Sequence, residues 1–175
     1  TAPALTLAAL NATEQGQDPI LVVTPADQTV ADTAAFTRAV QQAIAEATLG
    51  SIVILGVTPT HPEIGYGYIQ TKKDVIPANA ETHPLTVQAF VEKPNSATAQ
   101  KYLDAGNYFW NAGIFVLKAS VWLNALEQFC PDIAQATRQA WETRSTDAAF
   151  VRPGKAEFED ILSESVDYAV MEHCP

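Results

Sequence analysis

The pattern of apolar and polar positions predicts a strand–helix–strand unit early in the chain. The run Ile20-Leu21-Val22-Val23 is short and wholly apolar, as expected of a strand buried on both faces. Residues 33–49 then carry apolar side chains at the helical period, and residues 51–57 return as a second apolar strand. This order predicts a right-handed crossover and a parallel sheet.

The same pattern predicts the remaining elements. A helix is expected over residues 3–15, and a turn-rich connection between residues 72 and 84. Further strands are expected over 66–71, 85–92 and 107–117, and further helices over about 96–106, 120–129, 132–142, 155–162 and 166–172. The sequence shows no internal repeat and no low-complexity linker. Residues 1–175 are therefore predicted to form one α/β domain, or part of one.

Polar side chains interrupt two of the apolar runs. Glu92 and Lys93 follow the apolar Phe90-Val91, and Asn111 follows Trp110. Because burying unpaired charge is expensive, we expect Glu92, Lys93 and Asn111 to lie at strand ends that face a cleft. A carboxylate, an ammonium and an amide suit a ligand that carries hydroxyls and a phosphate.

Each of these three residues also has an ordinary structural explanation. Glu92 can accept hydrogen bonds from sugar hydroxyls and Lys93 can pair with a phosphate, but a surface ion pair worth at most about 1 kcal/mol would give the same pattern. Asn111 can donate and accept at once, which suits vicinal hydroxyls, or it can satisfy the backbone of a bulge.

Two further positions are candidates for ligand contact. Asp27 follows the first buried strand, and ligands of open α/β sheets bind beyond the carboxyl ends of strands. There it could hold Mg²⁺, or serve as a turn or capping residue. Gly65 and Gly67 flank Tyr66, which permits close backbone approach to a ligand or a bulge at a strand start.

Composition narrows the class of partner. The formal net charge is -10, and no cluster of basic residues exceeds the pair Lys72-Lys73, which argues against nucleic-acid binding. A small molecule with a divalent metal is expected instead. Cys130 and Cys174 lack zinc-type spacing and predict two reduced thiols of a cytoplasmic protein. No apolar run approaches a membrane span, and no signal peptide opens the chain.

Five segments in chain order carry a resemblance to a known family. The matches are a strand ending in P-A-D (residues 21–27), P-E-T-G-Y-G-Y-I (62–69), F-x-E-K-P (90–94), W-N-S/A-G-I/M-F (110–115) and S-x-S-I/V-D-Y-A-V-M-E (163–172). This set resembles the mannose-1-phosphate guanylyltransferases (GDP-mannose pyrophosphorylases), especially the bacterial type fused to a mannose-6-phosphate isomerase. The resemblance implies a Rossmann-like nucleotidyltransferase fold, with a mixed sheet flanked by helices.

The resemblance also implies an activity and a sugar site. The reaction would join mannose 1-phosphate to GTP, giving GDP-mannose and pyrophosphate. The sugar would be bound by Gly65, Glu92 and Asn111, and Lys93 would meet the sugar phosphate.

By the same resemblance, Asp27 would be one of two aspartates that bind Mg²⁺, and Asp27 and Lys93 would be the catalytic residues. Thr1, Ala2 and Pro3 match the end of a segment that borders the nucleotide.

The chain also departs from the family pattern. The glycine-rich phosphate loop would lie before Thr1, and the second metal aspartate would lie beyond Pro175. Gln28 stands where a histidine is common, and Ile64 where a threonine is usual. We therefore expect an internal segment of a longer enzyme, with negligible turnover on its own and weak sugar-phosphate affinity. We also expect exposed apolar sheet surface, which favours a homo-oligomer.

Two other functions remain open from the sequence. One is a non-catalytic module that senses a sugar phosphate or a nucleotide, and a glycine-rich loop upstream would argue against it. The other is a nucleotidyltransferase for another sugar 1-phosphate, which a comparison of GTP, UTP and dTTP would reveal.

Overall fold

The chain divides into two compact units in a computed structural model that describes residues 1–72 and 84–174. The helical unit comprises residues 1–21 and 118–174, and the sheet unit comprises residues 22–117. Most of the turn-rich connection predicted between residues 72 and 84 lies outside the described residues.

Apart from a short hairpin over residues 145–152, helices and strands occur in the order that the sequence pattern predicts. The helices are α1 (Ala2–Thr13), α2 (Thr33–Thr48), α3 (Ser96–Ala105), α4 (Ala119–Phe129), α5 (Pro131–Glu142) and α6 (Lys155–Glu159), followed by a π-helical turn, Asp167–Met171. The strands are β1 (Ile20–Val23), β2 (Val53–Val57), β3 (Tyr68–Thr71), β4 (Val87–Val91), β5 (Tyr108–Lys118), β6 (Ser145–Asp147) and β7 (Phe150–Arg152). Among the described helices, none is both long and apolar enough to cross a bilayer.

Strand β5 is the centre of the main sheet. The hydrogen-bonded order is β1-β5-β3-β4, and β2 also pairs with β5. The pairings β2–β5, β3–β5 and β3–β4 are antiparallel. The strand–helix–strand prediction was wrong in two respects, because β1 and β2 are not neighbours in the described sheet and these three pairings are antiparallel where a parallel sheet was predicted. The 11-residue β5 is long enough to pair with both.

The local sequence accounts for the helix boundaries in the sheet unit. Asp32 caps α2 by accepting a hydrogen bond from the Ala35 N–H at 2.9 Å, and Asn95 caps α3 in the same way. Gly106 ends α3 with a φ of 74°, a conformation that costs glycine little. The predicted burial of β1 on both faces is not observed, since Val22 is 43% exposed.

Three helices form the core of the helical unit. Helices α1, α4 and α5 contact one another and bury Trp122 and Leu126 completely. The Trp122 indole N–H donates to the Thr6 hydroxyl at 2.9 Å, so the buried polar pair is satisfied. The β6–β7 hairpin was not predicted, because its short, exposed strands lack an apolar alternation. The helix predicted over 155–162 ends at Glu159.

Candidate active site

Strand register brings three of the candidate residues together in the sheet unit. Tyr68 pairs with Val91 and with Trp110, so the neighbouring residues Gly67, Glu92 and Asn111 adjoin. The Asn111 N–H donates to the Gly67 carbonyl at 2.8 Å. A Cβ placed on Gly67 would lie 2.5 Å from Glu92 Oε2 and 3.4 Å from Asn111 Cβ. The expected convergence of Glu92 and Asn111 is therefore present, around a glycine that has no room for a side chain.

Glu92 and Lys93 form an ion pair at the end of β4. The Glu92 side chain is 9% exposed and the Lys93 side chain is 57% exposed, so the ammonium lies on the solvent side of the carboxylate. Lys93 has a φ of 41°, which is uncommon for a residue with a side chain. The ion pair that the sequence offered as a structural alternative exists, and ligand contact by these residues stays a prediction.

Asn111 lies inside β5, and the prediction that it would lie at a strand end was wrong. The register with β2 shifts between Ile54 and Gly56, which marks a bulge in the facing part of β5. The Asn111 Oδ1 accepts a hydrogen bond from the Gly113 N–H at 2.9 Å, and Gly113 has a φ of 68°. Asn111 therefore satisfies the backbone of a bulge, which is the structural explanation that the sequence offered, and its contact with a sugar stays a prediction.

The loop that carries Asp27 contacts the same bulge. The Gln28 side-chain amide donates to the Ala112 carbonyl at 2.7 Å, and a Cβ on Gly113 would lie 3.4 Å from Pro25 Cγ. Asp27 is exposed, and no residue in the described ranges donates a hydrogen bond to its carboxylate. Gln28 therefore joins the Asp27 loop to β5, the strand that carries Asn111. The sequence did not predict this hydrogen bond.

Asp27 offers a single exposed carboxylate, and its binding of magnesium stays a prediction. Within residues 1–72 and 84–174 there is no group of three or more metal-ligating side chains. Magnesium usually binds one or two carboxylates and completes its shell with water and substrate phosphates. A single exposed carboxylate such as Asp27 is compatible with that arrangement.

The two glycines around Tyr66 differ in their surroundings. The Gly65 N–H donates to Glu63 Oε1 at 2.8 Å, and a Cβ on Gly65 would meet only the Glu63 carboxylate, at 3.3 Å. Gly67, in contrast, directly adjoins Glu92. The G-x-G spacing does not distinguish the two glycines, and the family resemblance implied only Gly65 for the sugar site.

Glu63 is a residue of this site that sequence reasoning missed. Hydrogen bonds from the N–H groups of Gly65 and, next, Ile64 lower the pKa of its carboxyl group. Burial acts in the opposite direction, and His61 contributes a smaller lowering. The only available signal was its place in the P-E-x-G-Y-G-Y segment.

Thr1, Ala2 and Pro3 belong to the helical unit, whereas the other candidate residues belong to the sheet unit. The Ala2 N–H donates to the Glu164 carbonyl at 3.0 Å, and the Thr1 hydroxyl accepts from the Val166 N–H at 3.0 Å. Ala2 and Pro3 are buried. These contacts join the first residues to the S-x-S-V-D-Y segment, and their contact with a nucleotide stays a prediction.

The fold is that of the nucleotidyltransferase class. The model of the nucleotidyl transferase family matches residues 1–163, and the chain belongs to this family. It is similar to the xanthan biosynthesis protein XanB of Xanthomonas campestris pv. campestris strain B100, with 49% identity over 98% of the chain. It is also similar to the mannose-1-phosphate guanylyltransferase ManC of Salmonella typhimurium, with 43% identity over 98% of the chain.

The chain spans only about a third of the length of these relatives, 35% and 36% respectively. Among solved structures, it is similar to the mannose-6-phosphate isomerase of Helicobacter pylori, with a TM-score of 0.87 and 29% identity. That match covers 99% of this chain and 65% of the other. The nucleotidyltransferase family and the α/β fold that the resemblance implies are both confirmed.

Proposed function

We propose that this chain supplies the sugar-phosphate side of a mannose-1-phosphate guanylyltransferase that converts GTP and mannose 1-phosphate into GDP-mannose and pyrophosphate. The observation that carries the proposal is the meeting of Gly67, Glu92 and Asn111 at one place in the sheet unit. Glu92 accepts hydrogen bonds from sugar hydroxyls, and Asn111 offers an amide that can donate and accept. Lys93 provides the cation for the sugar phosphate.

The proposed reaction needs positioning and charge neutralisation more than covalent catalysis. A phosphate oxygen of the sugar phosphate attacks the α-phosphorus of GTP in line. A bond forms between these two atoms while the bond to the bridging oxygen breaks, and pyrophosphate leaves. Lys93 orients the attacking phosphate and offsets its charge, which favours the near-attack geometry. No protein nucleophile is required.

Asp27 is the residue that would hold Mg²⁺ in this reaction. The ion, when bound, supplies positive charge that stabilises the phosphate oxygens. The hydrogen bond from Gln28 to the Ala112 carbonyl supports this role, because it limits the movement of the loop relative to the strand that carries Asn111. Thr1, Ala2 and Pro3 are proposed to border the nucleotide. The protein is proposed to act in the cytoplasm.

A steady-state assay of the full encoded protein tests the proposal. We expect GDP-mannose from GTP and mannose 1-phosphate with Mg²⁺, and slower turnover with UTP, dTTP or glucose 1-phosphate. The 175-residue chain alone should show negligible turnover. Efficient use of another sugar 1-phosphate would contradict the mannose assignment. Tight binding of mannose 1-phosphate without turnover by the full protein would indicate a sensing module.

A further inference from the structure

An arch, residues 63–67, is exposed at residues 64–66, adjoins the candidate sugar site and is held by its own hydrogen bonds. The Glu63 carboxylate accepts from the N–H groups of Ile64 and Gly65, both at 2.8 Å. At the other end of the arch, the Gly67 carbonyl accepts from the Asn111 N–H at 2.8 Å. The arch therefore starts at a carboxylate and ends at the residue that adjoins Glu92.

The Tyr68 hydroxyl fixes the base of the arch. It accepts from the Glu63 N–H at 3.0 Å and donates to the Glu63 carbonyl at 2.8 Å. It also accepts from the Trp110 indole N–H at 3.1 Å. One donor and two acceptors are all that a hydroxyl offers, so the Tyr68 hydroxyl is fully used. Since Trp110 precedes Asn111 in β5, the arch is tied to the strand that carries the amide.

Apart from an edge-to-face contact between the Tyr66 and Trp110 rings, with centroids 5.5 Å apart, the arch gains little from apolar burial. Ile64 is 54% exposed and Tyr66 is 50% exposed, although ordering a backbone segment costs conformational entropy. Six hydrogen bonds nevertheless hold this short segment and its base. A binding site gains affinity when its backbone is already ordered before the ligand binds, and these hydrogen bonds order the backbone of the arch.

We propose that Glu63 is a positioning residue, which holds the backbone of the arch in the form that binds the sugar phosphate. The inference rests on the proposed function. Glu63 acts through the backbone from Gly65 to Gly67 and touches no reacting atom. Its loss should therefore weaken the binding of the sugar phosphate and leave the chemical step and the use of GTP largely intact.

Kinetics of Glu63→Ala and Glu63→Gln in the full encoded protein test the inference. For Glu63→Ala we expect a KM for mannose 1-phosphate about tenfold higher, with the KM for GTP and kcat within about threefold of the parent. Glu63→Gln keeps a side-chain oxygen that can accept both N–H groups, so it should restore most of the affinity. Tyr68→Phe should raise the same KM, and Glu46→Ala on α2 serves as a control with unchanged kinetics.

Each outcome bears on a different proposal. If Glu63→Ala leaves the KM for mannose 1-phosphate unchanged, or lowers kcat alone, the positioning role is wrong. An equal loss in Glu63→Ala and Glu63→Gln, accompanied by a lower melting temperature, would assign Glu63 a purely structural role. If the parent protein uses another sugar 1-phosphate, the KM for that substrate decides, and only the mannose assignment fails. A parent protein without any turnover overturns both proposals.

Discussion

The core of the helical unit differs from the candidate site of the sheet unit in how polar side chains find partners. This site, called the cleft below, comprises Gly67, Glu92, Lys93 and Asn111. Trp122 and Thr6 are buried and satisfy each other with a hydrogen bond of 2.9 Å. In the cleft, the nearly buried Glu92 lies beside the largely exposed Lys93. A polar group in a core must find its partner within the protein, whereas a group in a cleft can exchange that partner for a ligand.

This difference separates stability from binding. Substitutions in the helical core should change the free energy of unfolding and leave substrate constants alone. Substitutions of exposed side chains in the cleft, such as Lys93, should do the reverse, because exposed side chains contribute little to folding. Each of the following predictions can break or sharpen this separation.

The largest effect is expected for Lys93→Asn. Asparagine tolerates the positive φ at this position but lacks the ammonium, so the fold should be kept while charge stabilisation is lost. We expect kcat/KM for mannose 1-phosphate in the full protein to fall about 100-fold to 1000-fold. The melting temperature should be unchanged. Lys101→Gln on α3 removes a charge elsewhere, and an equal loss in that variant would argue against a specific role for Lys93.

Leu126→Ala tests the helical core. The Leu126 side chain is fully buried, so its truncation should lower the free energy of unfolding by about 2–5 kcal/mol. Urea denaturation of this chain measures the change, and the KM values of the full protein should stay the same. Leu162→Ala is the control, since Leu162 is 69% exposed and should matter by less than about 0.5 kcal/mol. A change in KM for Leu126→Ala would break the separation.

Gly67→Ala and Gly65→Ala test which glycine opens the cleft. The new methyl at Gly67 would lie 2.5 Å from Glu92 Oε2 and 3.2 Å from Phe90 Cζ, so the carboxylate must move. Because the displaced Glu92 carboxylate would no longer meet the sugar, we expect kcat/KM to fall about tenfold to 100-fold. The overpacking should also lower the free energy of unfolding by about 1–3 kcal/mol. Gly65→Ala should cost less than about threefold, because its methyl would lie 3.3 Å from Glu63 Oε1, a contact that a small shift relieves. The reverse order would restore Gly65 as the critical residue.

Gln28→Ala tests the hydrogen bond between the Asp27 loop and the bulge. One hydrogen bond of this kind is worth about 0.5–1.5 kcal/mol, so kcat/KM should fall about threefold to tenfold. Gln28→Glu should be worse than Gln28→Ala, since a carboxylate cannot donate to the Ala112 carbonyl. Gln41→Ala on α2 provides the control. Wild-type rates in Gln28→Glu would show that the loop needs no such tie.

The smallest effect concerns acid stability of the helical unit. Hydrogen bonds from the Ser120 N–H and then the Ser120 hydroxyl lower the pKa of Asp18 from its ordinary value of 3.8. A lowered folded-state pKa contributes stability above pH 3.8 that is lost as the pH falls through the lower folded value. Because Asp18 is exposed, the contribution should stay below about 1 kcal/mol.

Urea midpoints at pH 7 and pH 3 measure this contribution. Asp18→Asn keeps an oxygen that can accept from the Ser120 N–H but does not titrate. The difference between the two midpoints should therefore be smaller in Asp18→Asn than in the parent chain. An identical difference would show that other carboxylates account for the acid sensitivity.

Local sequence was sufficient for most helices and strands. Periodic apolar positions predicted α2 and β5 closely, since amphipathic helices and apolar strands are set by side chains near in sequence. The β6–β7 hairpin escaped prediction because its strands have three residues each and lie exposed. The order of strands in the sheet was not predicted either, because β5 pairs with β1, β2 and β3 across long stretches of chain.

The candidate site was predictable in its residue types and not in its geometry. Charged and amide side chains within apolar runs pointed to Glu92, Lys93 and Asn111, because burial without partners is costly. The bulge at Asn111, the partner of Gln28 and the role of the Glu63 carboxylate depend on residues far apart in the chain or on loop conformation. Local sequence patterns do not predict such contacts.

The amino-acid sequence by itself determined the α/β class, the family and the identity of the polar residues around the cleft, because these depend on composition, periodicity and short motifs. Only the tertiary structure decided that Gly67 adjoins Glu92, that Asn111 stands at a bulge and that Glu63 holds the arch. Strand register and hydrogen-bond geometry arise when distant segments pack together, and no pattern along the chain encodes them residue by residue.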